Sequence, residues 1–221
     1  MSVKDNAWAV IWDLDGVLVD STEGHFAAWQ RLFAEEGLQM DRAEFLRTFG
    51  QRNDAVLRAA LGPDLPAERI QMLGERKEAY FRSLVPQWVR PTAGAVALLS
   101  GLHAAGARQA IGSSAPRANL ETILSALGVS GLFGATVTAE DVSRGKPAPD
   151  VFLTAAARLG VPPARCIVLE DAPPGVEAAR AAGMRCVAVT TTRPAADLQR
   201  ADRVVVSLTE LSAAVLRALL A

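Results

Sequence analysis

Trp8-Ala-Val-Ile-Trp-Asp-Leu-Asp-Gly-Val-Leu-Val-Asp-Ser21 is the stretch on which the reading of this chain turns. Trp8 to Trp12 is a short apolar run of strand-forming residues, too short for a helix. It stops at two carboxylates, Asp13 and Asp15, with Leu14 between them and Gly16 behind. Open α/β sheets place their ligands beyond the carboxyl ends of the strands. Bringing acids to the end of a buried strand costs roughly several kcal/mol each unless something neutralises them. Gly16 permits a sharp turn or a close backbone approach. The stretch fits a metal-assisted site centred on Asp13, and it also fits an ordinary strand followed by an Asp-Gly turn.

The 221-residue chain is half hydrophobic and carries a formal net charge of -1. That is enough for a real core with a smaller lobe beside it. Near-neutral charge gives no reason to expect nucleic acid or an anionic membrane as a partner. Met1-Ser-Val-Lys-Asp-Asn6 lacks the apolar stretch of a signal peptide, and no apolar run approaches the length of a bilayer crossing. A cytoplasmic protein, monomeric and without nucleic-acid or membrane partners, is the expectation. Cys166 and Cys186 fall in predicted buried strands, which suits free thiols better than a disulfide or a metal site. Of 23 Lys plus Arg, only Lys4, Lys77 and Lys146 are Lys. Lys is a compact point charge and Arg a flat fork, so each of these lysines is a candidate for a role that Arg would not fill.

From Glu23 to Glu36 the pattern is helical, with Phe26, Trp29, Leu32 and Phe33 on one face and Gly37 as the stop. Further helices are predicted at Arg42–Thr48, Asn53–Leu61 and Pro66–Leu84, with no convincing strand between Val19 and Gln87. Such a run reads as an inserted helical lobe, with Pro86 and Pro91 bracketing the returning linker. The predicted organisation is a core from residues 1–19 and 88–221 with a helical lobe at 20–87. From Thr92 onward, strands at Arg108–Gly112, Cys166–Leu169, Arg185–Val189 and Arg203–Val206 alternate with helices. That pattern predicts an α/β fold, a doubly wound, Rossmann-like parallel sheet with helices on both faces. The region 134–145 reads as loop.

Three more strand ends carry chemistry. Gly112-Ser-Ser-Ala-Pro116 offers the hydroxyls of Ser113 and Ser114 to an anion at a helix N-terminus, where the dipole favours negative charge; Ser114 could equally cap that helix. Lys146 stands between Gly145 and Pro147, held stiffly in a loop, although a solvated surface lysine has the same sequence. Glu170-Asp171 is a second acidic pair at a strand end, before Ala-Pro-Pro-Gly175 and a helix. Together these supply hard oxygen ligands, a hydroxyl, a cation and two helix N-termini on one edge of one sheet. Mg²⁺ prefers a few carboxylates plus phosphate and water, so the set suits phosphoryl transfer, and no Cys/His cluster points to zinc.

This order of features resembles the haloacid dehalogenase-like superfamily, whose four motifs are similar to the segments at Asp13–Ser21, Ser113, Lys146 and Glu170-Asp171. The helical lobe resembles the family's small alpha-helical cap, and the branch it looks most like is that of β-phosphoglucomutase and the sugar-phosphate phosphatases. The resemblance implies that Asp13 attacks phosphorus and that Asp15 protonates the leaving oxygen and then activates water. It implies Mg²⁺ held by Asp13, the backbone carbonyl of Asp15 and Asp171, with Glu170 as a ligand or water-mediated neighbour. Ser113 and Lys146 would hold the transferring oxygens, assisted by Ser114. Asp15 argues against dehalogenation, because halide departure needs no proton and the dehalogenases usually carry Tyr there. His25, Arg52-Asn53 and Lys77 resemble cap residues that touch the sugar and its distal phosphate. His25 and Arg52 could equally be plain helix-surface groups, and Lys77 a partner for a neighbouring acid. Trp29 reads as core packing and His103 as surface. The cap is expected to open and close about its two linkers. The resulting expectation is a Mg²⁺-dependent phosphatase of small phosphorylated sugars or polyols. β-Phosphoglucomutase is the alternative, and a non-catalytic binding protein is disfavoured by the full set of motif residues.

Overall fold

A computed structural model describes residues 7–221. The expectation about residues 1–6, and Lys4 with it, lies outside the described residues. In chain order the elements are β1 (Ala9–Trp12), β2 (Val19–Asp20), α1 (Thr22–Glu35), α2 (Arg42–Thr48), α3 (Asn53–Leu61) and α4 (Ala67–Trp88). Then follow β3 (Arg90–Pro91), α5 (Ala95–Ala104), β4 (Arg108–Gly112), α6 (Arg117–Leu127), β5 (Ala135–Val137) and α7 (Asp150–Leu159). The chain closes with β6 (Cys166–Glu170), α8 (Pro173–Ala181), β7 (Arg185–Val189), β8 (Arg203–Val205) and α9 (Ala213–Ala218). Two compact units result: one takes the chain up to Asp20 and resumes at Arg90–Ala221, and the other is Ser21–Val89.

In the first unit, the described residues form a parallel six-stranded sheet in the order β5-β4-β1-β6-β7-β8. All four residues of β1 are buried, as a strand covered on both faces requires, which is why Ala9 to Trp12 reads as an unbroken apolar run. Trp12 lies opposite Ile111 of β4 and Leu169 of β6. The chain therefore leaves the three strands at one edge, with Asp13, Ser113 and Glu170-Asp171 at the point of departure. One face is packed by Phe152, Ala155 and Ala156 of α7 against Ile11, Ala110 and Val168. Trp12 Nε1 donates to Gln109 Oε1 at 3.1 Å and Gln109 Nε2 donates to the Leu99 carbonyl at 3.0 Å, so this buried polar pair is satisfied.

Three features depart from the sequence reading. Ala135–Val137, inside the expected loop, is an edge strand of three residues, too short to show a period of its own. Val19–Asp20 pairs antiparallel with Arg90–Pro91, so Pro91 sits in a small ribbon. Pro86 does not begin a linker either, since α4 continues through it to Trp88. A proline inside the last turn of a helix forfeits a single amide bond. Burial of Phe81 and Val85 on the same helix outweighs that loss.

The second unit is helical. Ala28, Trp29, Leu32 and Phe33 form the buried stripe of α1. Trp29, Phe33, Phe45, Leu57 and Leu73 belong to its core, and Trp29 stacks on Phe33 with ring centroids 5.2 Å apart, as expected of a packing residue. Gly24 of α1 faces Phe81 of α4 so closely that an added methyl would stand 3.1 Å from the ring. His103 is exposed at the end of α5, and both cysteines are buried free thiols. Among the described residues no helix is long and apolar enough to cross a membrane.

Asp141 cross-braces the first unit below the Lys146 segment. Its Oδ2 accepts from Thr138 N at 2.8 Å, Thr138 Oγ1 at 3.0 Å and Arg117 Nη2 at 2.5 Å, while Oδ1 accepts from Arg158 Nη2 at 2.7 Å. These bonds, that from Arg158 foremost, hold its carboxyl well below the usual carboxylate range. Asp141→Ala is expected to cost about 2–4 kcal/mol, measured by denaturant midpoint near pH 7. A depressed folded pKa stabilises above the unfolded pKa, so the gap between native and variant should close as pH falls below about 4. A gap independent of pH would refute the charge-based account.

Candidate active site

The turn after β1 places the first acids. Gly16 N donates to the Val19 carbonyl at 2.7 Å, Leu18 N to that of Leu14 at 3.0 Å, and Gly16 has φ +84°. The Asp-Gly turn and the acidic site are thus one feature. A methyl on Gly16 would stand 2.1 Å from Asp171 Oδ2, so glycine is required here for both reasons. Asp13 is buried and its amide donates to the Leu169 carbonyl at 2.9 Å, fixing it beside the end of β6. Asp15 is partly buried two residues on.

Asp13, Glu170 and Asp171 each present a carboxylate oxygen, all within 4.8 Å of one another. Lys146 Nζ reaches into them, donating to Asp13 Oδ1 at 2.6 Å and Glu170 Oε1 at 2.5 Å, and it lies 4.8 Å from the centre of the Phe152 ring. Glu170 Oε2 accepts from the amides of Asp171 at 2.9 Å and Ala172 at 3.1 Å. Asp171 Oδ2 accepts from Thr192 Oγ1. Burial pushes the Asp13 carboxyl up to about 7, with the Glu170 and Asp15 charges adding to the push and Lys146 opposing it. Burial likewise raises Asp171 well above the ordinary value, with the charges of Glu170 and Asp13 behind it. Burial works against the Lys146 ammonium, yet the carboxylates of Asp13 and Glu170 overcome it and the pKa is raised. Both partners of the Asp13–Lys146 pair move up because burial dominates at Asp13, while the two carboxylates beside Lys146 outweigh its burial. The cation is over-supplied with partners and the anions are under-supplied.

Ser113 is buried at the end of β4, where its amide donates to the Val137 carbonyl at 3.0 Å and its Oγ accepts from Ala115 N at 3.0 Å. Ser114 is exposed and does not cap α6; Pro116 occupies that position, and Arg117 N donates to both oxygens of Glu140. The two helix N-termini expected to face an anion therefore meet carboxylates of the chain itself, Glu140 at α6 and Glu170 ahead of α8. In the helical unit, Lys77 Nζ is 2.8 Å from His25 Nδ1 and donates to Glu78 Oε1 at 2.9 Å. Asn53 Nδ2 donates to the same Glu78 oxygen at 2.8 Å. His25 stacks on Phe81 at 3.8 Å between centroids. The structure thus joins Lys77 and Asn53 through Glu78, and His25 to them through Lys77, while Arg52 is exposed and paired with Asp54 at 3.3 Å.

Two contributors escaped the sequence reading. A methyl on Gly175 of α8 would stand 1.7 Å from Glu170 Oε1, so this glycine makes room for the buried acid. Its only signal was a glycine in a helix's first turn, where glycine is otherwise unfavourable. Thr192, the partner of Asp171, ends the run Thr190-Thr-Thr192 after β7. Hydroxyls just past a strand end were a signal of the same kind as Ser113.

The profile of the family described as haloacid dehalogenase-like hydrolase matches residues 10–189. Validoxylamine A 7'-phosphate phosphatase of Streptomyces hygroscopicus subsp. limoneus is 36% identical over 201 residues, 91% of this chain and 94% of that one. Fructose-1-phosphate phosphatase YqaB of Escherichia coli (strain K12) is 35% identical over 181 residues, 81% of this chain and 95% of that one. The crystal structure of β-phosphoglucomutase from Clostridium difficile is similar with a TM-score of 0.85 at 27% identity, covering 97% of both chains.

Proposed function

The chain belongs to the haloacid dehalogenase-like hydrolases, and from that premise we propose that it is a Mg²⁺-dependent phosphatase of small phosphorylated sugars or polyols, with Asp13 as nucleophile. The observation that carries this reading is the excess of buried carboxylate over ammonium at the sheet's C-terminal edge. Three acids and one lysine leave negative charge that a bound divalent cation would neutralise. The donors are hard oxygens with no Cys or His among them, which suits Mg²⁺. Asp13, Asp171 and the backbone carbonyl of Asp15 would hold the ion. Glu170, already engaged by Lys146 and two amides, would serve behind them or through water. When bound, the ion supplies charge that offsets repulsion between a carboxylate and a phosphate dianion.

The chain's own groups account for the chemistry. Lys146 holds one oxygen of Asp13, leaving the other to attack phosphorus. As that bond forms, the bond from phosphorus to the leaving oxygen breaks, and Asp15 gives that oxygen its proton. Asp15, now ionised, takes a proton from water, which attacks phosphorus and frees both phosphate and the Asp13 carboxylate. Ser113, Ser114 and Lys146 steady the phosphoryl oxygens. The helical unit resembles the family's cap, and its His25, Arg52, Asn53 and Lys77 are the proposed sugar-binding residues.

The similarity to β-phosphoglucomutase at 97% coverage keeps phosphoryl transfer within a sugar as the second reading. One experiment divides the two. β-Glucose 1-phosphate is supplied with a trace of the 1,6-bisphosphate, beside a panel of hexose and polyol phosphates, with Mg²⁺ and with EDTA. Inorganic phosphate should accumulate in step with substrate loss, only with Mg²⁺. Glucose 6-phosphate forming without matching phosphate would establish the mutase instead.

A further inference from the structure

We propose that Arg144 and Asp150 form a clamp that positions the Lys146 ammonium for phosphoryl transfer, an inference that rests on the reading of Lys146 given above. Lys146 lies on a segment, residues 142–149, with neither helix nor strand. Its long, flexible stem must nevertheless deliver Nζ between Asp13 and Glu170, so the backbone beneath it has to be fixed. Two residues before Lys146, Arg144 Nε and Nη2 donate to Asp150 Oδ2 at 3.1 Å and Oδ1 at 2.7 Å. A two-point fork of this kind sets direction as well as distance.

Asp150 is the first residue of α7, which is anchored by buried Val151, Phe152 and Ala155. Phe152 carries the Lys146 ammonium near its ring and abuts Gly112, where an added methyl would stand 3.0 Å from it. The helix is therefore a fixed post, and the fork ties the incoming end of the segment to it. Between them the Gly145 carbonyl accepts from Ala148 N at 3.0 Å, which alone closes only the inner turn. The Arg144 side chain is 70% exposed, and exposed ion pairs add little to stability. Loss of the fork should thus be read in turnover and in the environment of Lys146, not in unfolding.

The test uses Arg144→Ala and Arg144→Lys in the full chain, with Arg185→Ala as control. Arg185 also pairs with an acid, Asp202 at 2.8 Å, but at the start of β7, the opposite edge of the sheet. Steady-state kinetics on p-nitrophenyl phosphate with Mg²⁺ are combined with NMR of protein carrying ¹³C-labelled lysine. The native chain's three lysines give three side-chain signals, Arg144→Lys adds a fourth, and Lys146→Arg made in each background assigns the one of interest. Arg144→Ala should lower kcat by about tenfold to a hundredfold with KM nearly unchanged, and its Lys146 signal should move towards that of free lysine. Arg144→Lys, with one contact in place of a fork, should recover part of both, and Arg185→Ala should match native. Native kcat with an unmoved Lys146 signal in Arg144→Ala would overturn the clamp, as would a lower kcat with that signal unmoved. A displaced signal with native kcat would support the clamp and remove Lys146 from the chemistry.

Discussion

Asp13→Asn is expected to lower turnover by about 10⁴-fold or more while leaving the metal-free protein at least as stable as native at pH 8. The first half follows from nucleophilic attack, since an amide oxygen cannot form the phosphoryl bond and later release it. The second half follows from the site's electrostatics. Burial pushes the Asp13 carboxyl up to about 7, with Glu170 and Asp15 adding to it and Lys146 opposing. An acid whose folded pKa is raised contributes stability below its unfolded pKa of about 4, and that contribution is lost as pH rises through the folded value. Asparagine cannot ionise, so the variant escapes this loss, and Lys146 keeps Glu170 as a partner. Denaturant midpoints without metal should favour the variant at pH 8 and converge near pH 4. Turnover within tenfold of native would remove Asp13 from the chemistry. A variant clearly less stable at pH 8 would show that Lys146 outweighs burial.

Gly175→Ala should also be damaging, although Gly175 touches no substrate in the proposed mechanism. Its methyl would fall 1.7 Å from Glu170 Oε1 and 1.9 Å from Cδ. A flexible side chain would simply swing away, but Glu170 is pinned by Lys146 and by the amides of Asp171 and Ala172. Moving it breaks a buried ion pair and strands two amides, an expected loss of about 2–4 kcal/mol. Lys146 then shifts as well, with kcat down about a hundredfold. The comparison is Gly101→Ala in α5, where an added methyl meets nothing within 4 Å. There alanine should stabilise by about 0.5–1 kcal/mol through helix propensity. Near-native turnover and stability in Gly175→Ala would mean that Glu170 is free to move and does not hold Lys146.

Much of this molecule is legible in the chain alone, because strand ends are local events. An apolar run that stops at Asp13-Leu-Asp15, at Gly112-Ser113 or at Glu170-Asp171 announces both the strand and the polar group delivered at its edge. The alternation of strands and helices then requires those ends to share one side of a parallel sheet. The helices at Arg42–Thr48 and Asn53–Leu61 are visible for the same reason, each carrying its apolar stripe within its own few residues. The edge strand Ala135–Val137 is too short for any period, and the run of α4 through Pro86 depends on the burial of neighbours that a breaker residue conceals.

The amino-acid sequence by itself determined the fold class, the family and the chemical kinds of group brought to the sheet's edge, since each is set by patterns a few residues long. Only the tertiary structure decided how those groups divide their partners. Lys146 meets Asp13 across 133 positions of chain, Glu170 is claimed by Lys146 and by two amides, Thr192 takes an oxygen of Asp171, and Gly16 and Gly175 leave room for carboxylates. Such pairings depend on distances between residues remote in sequence, and a burial energy that no local pattern contains selects among them.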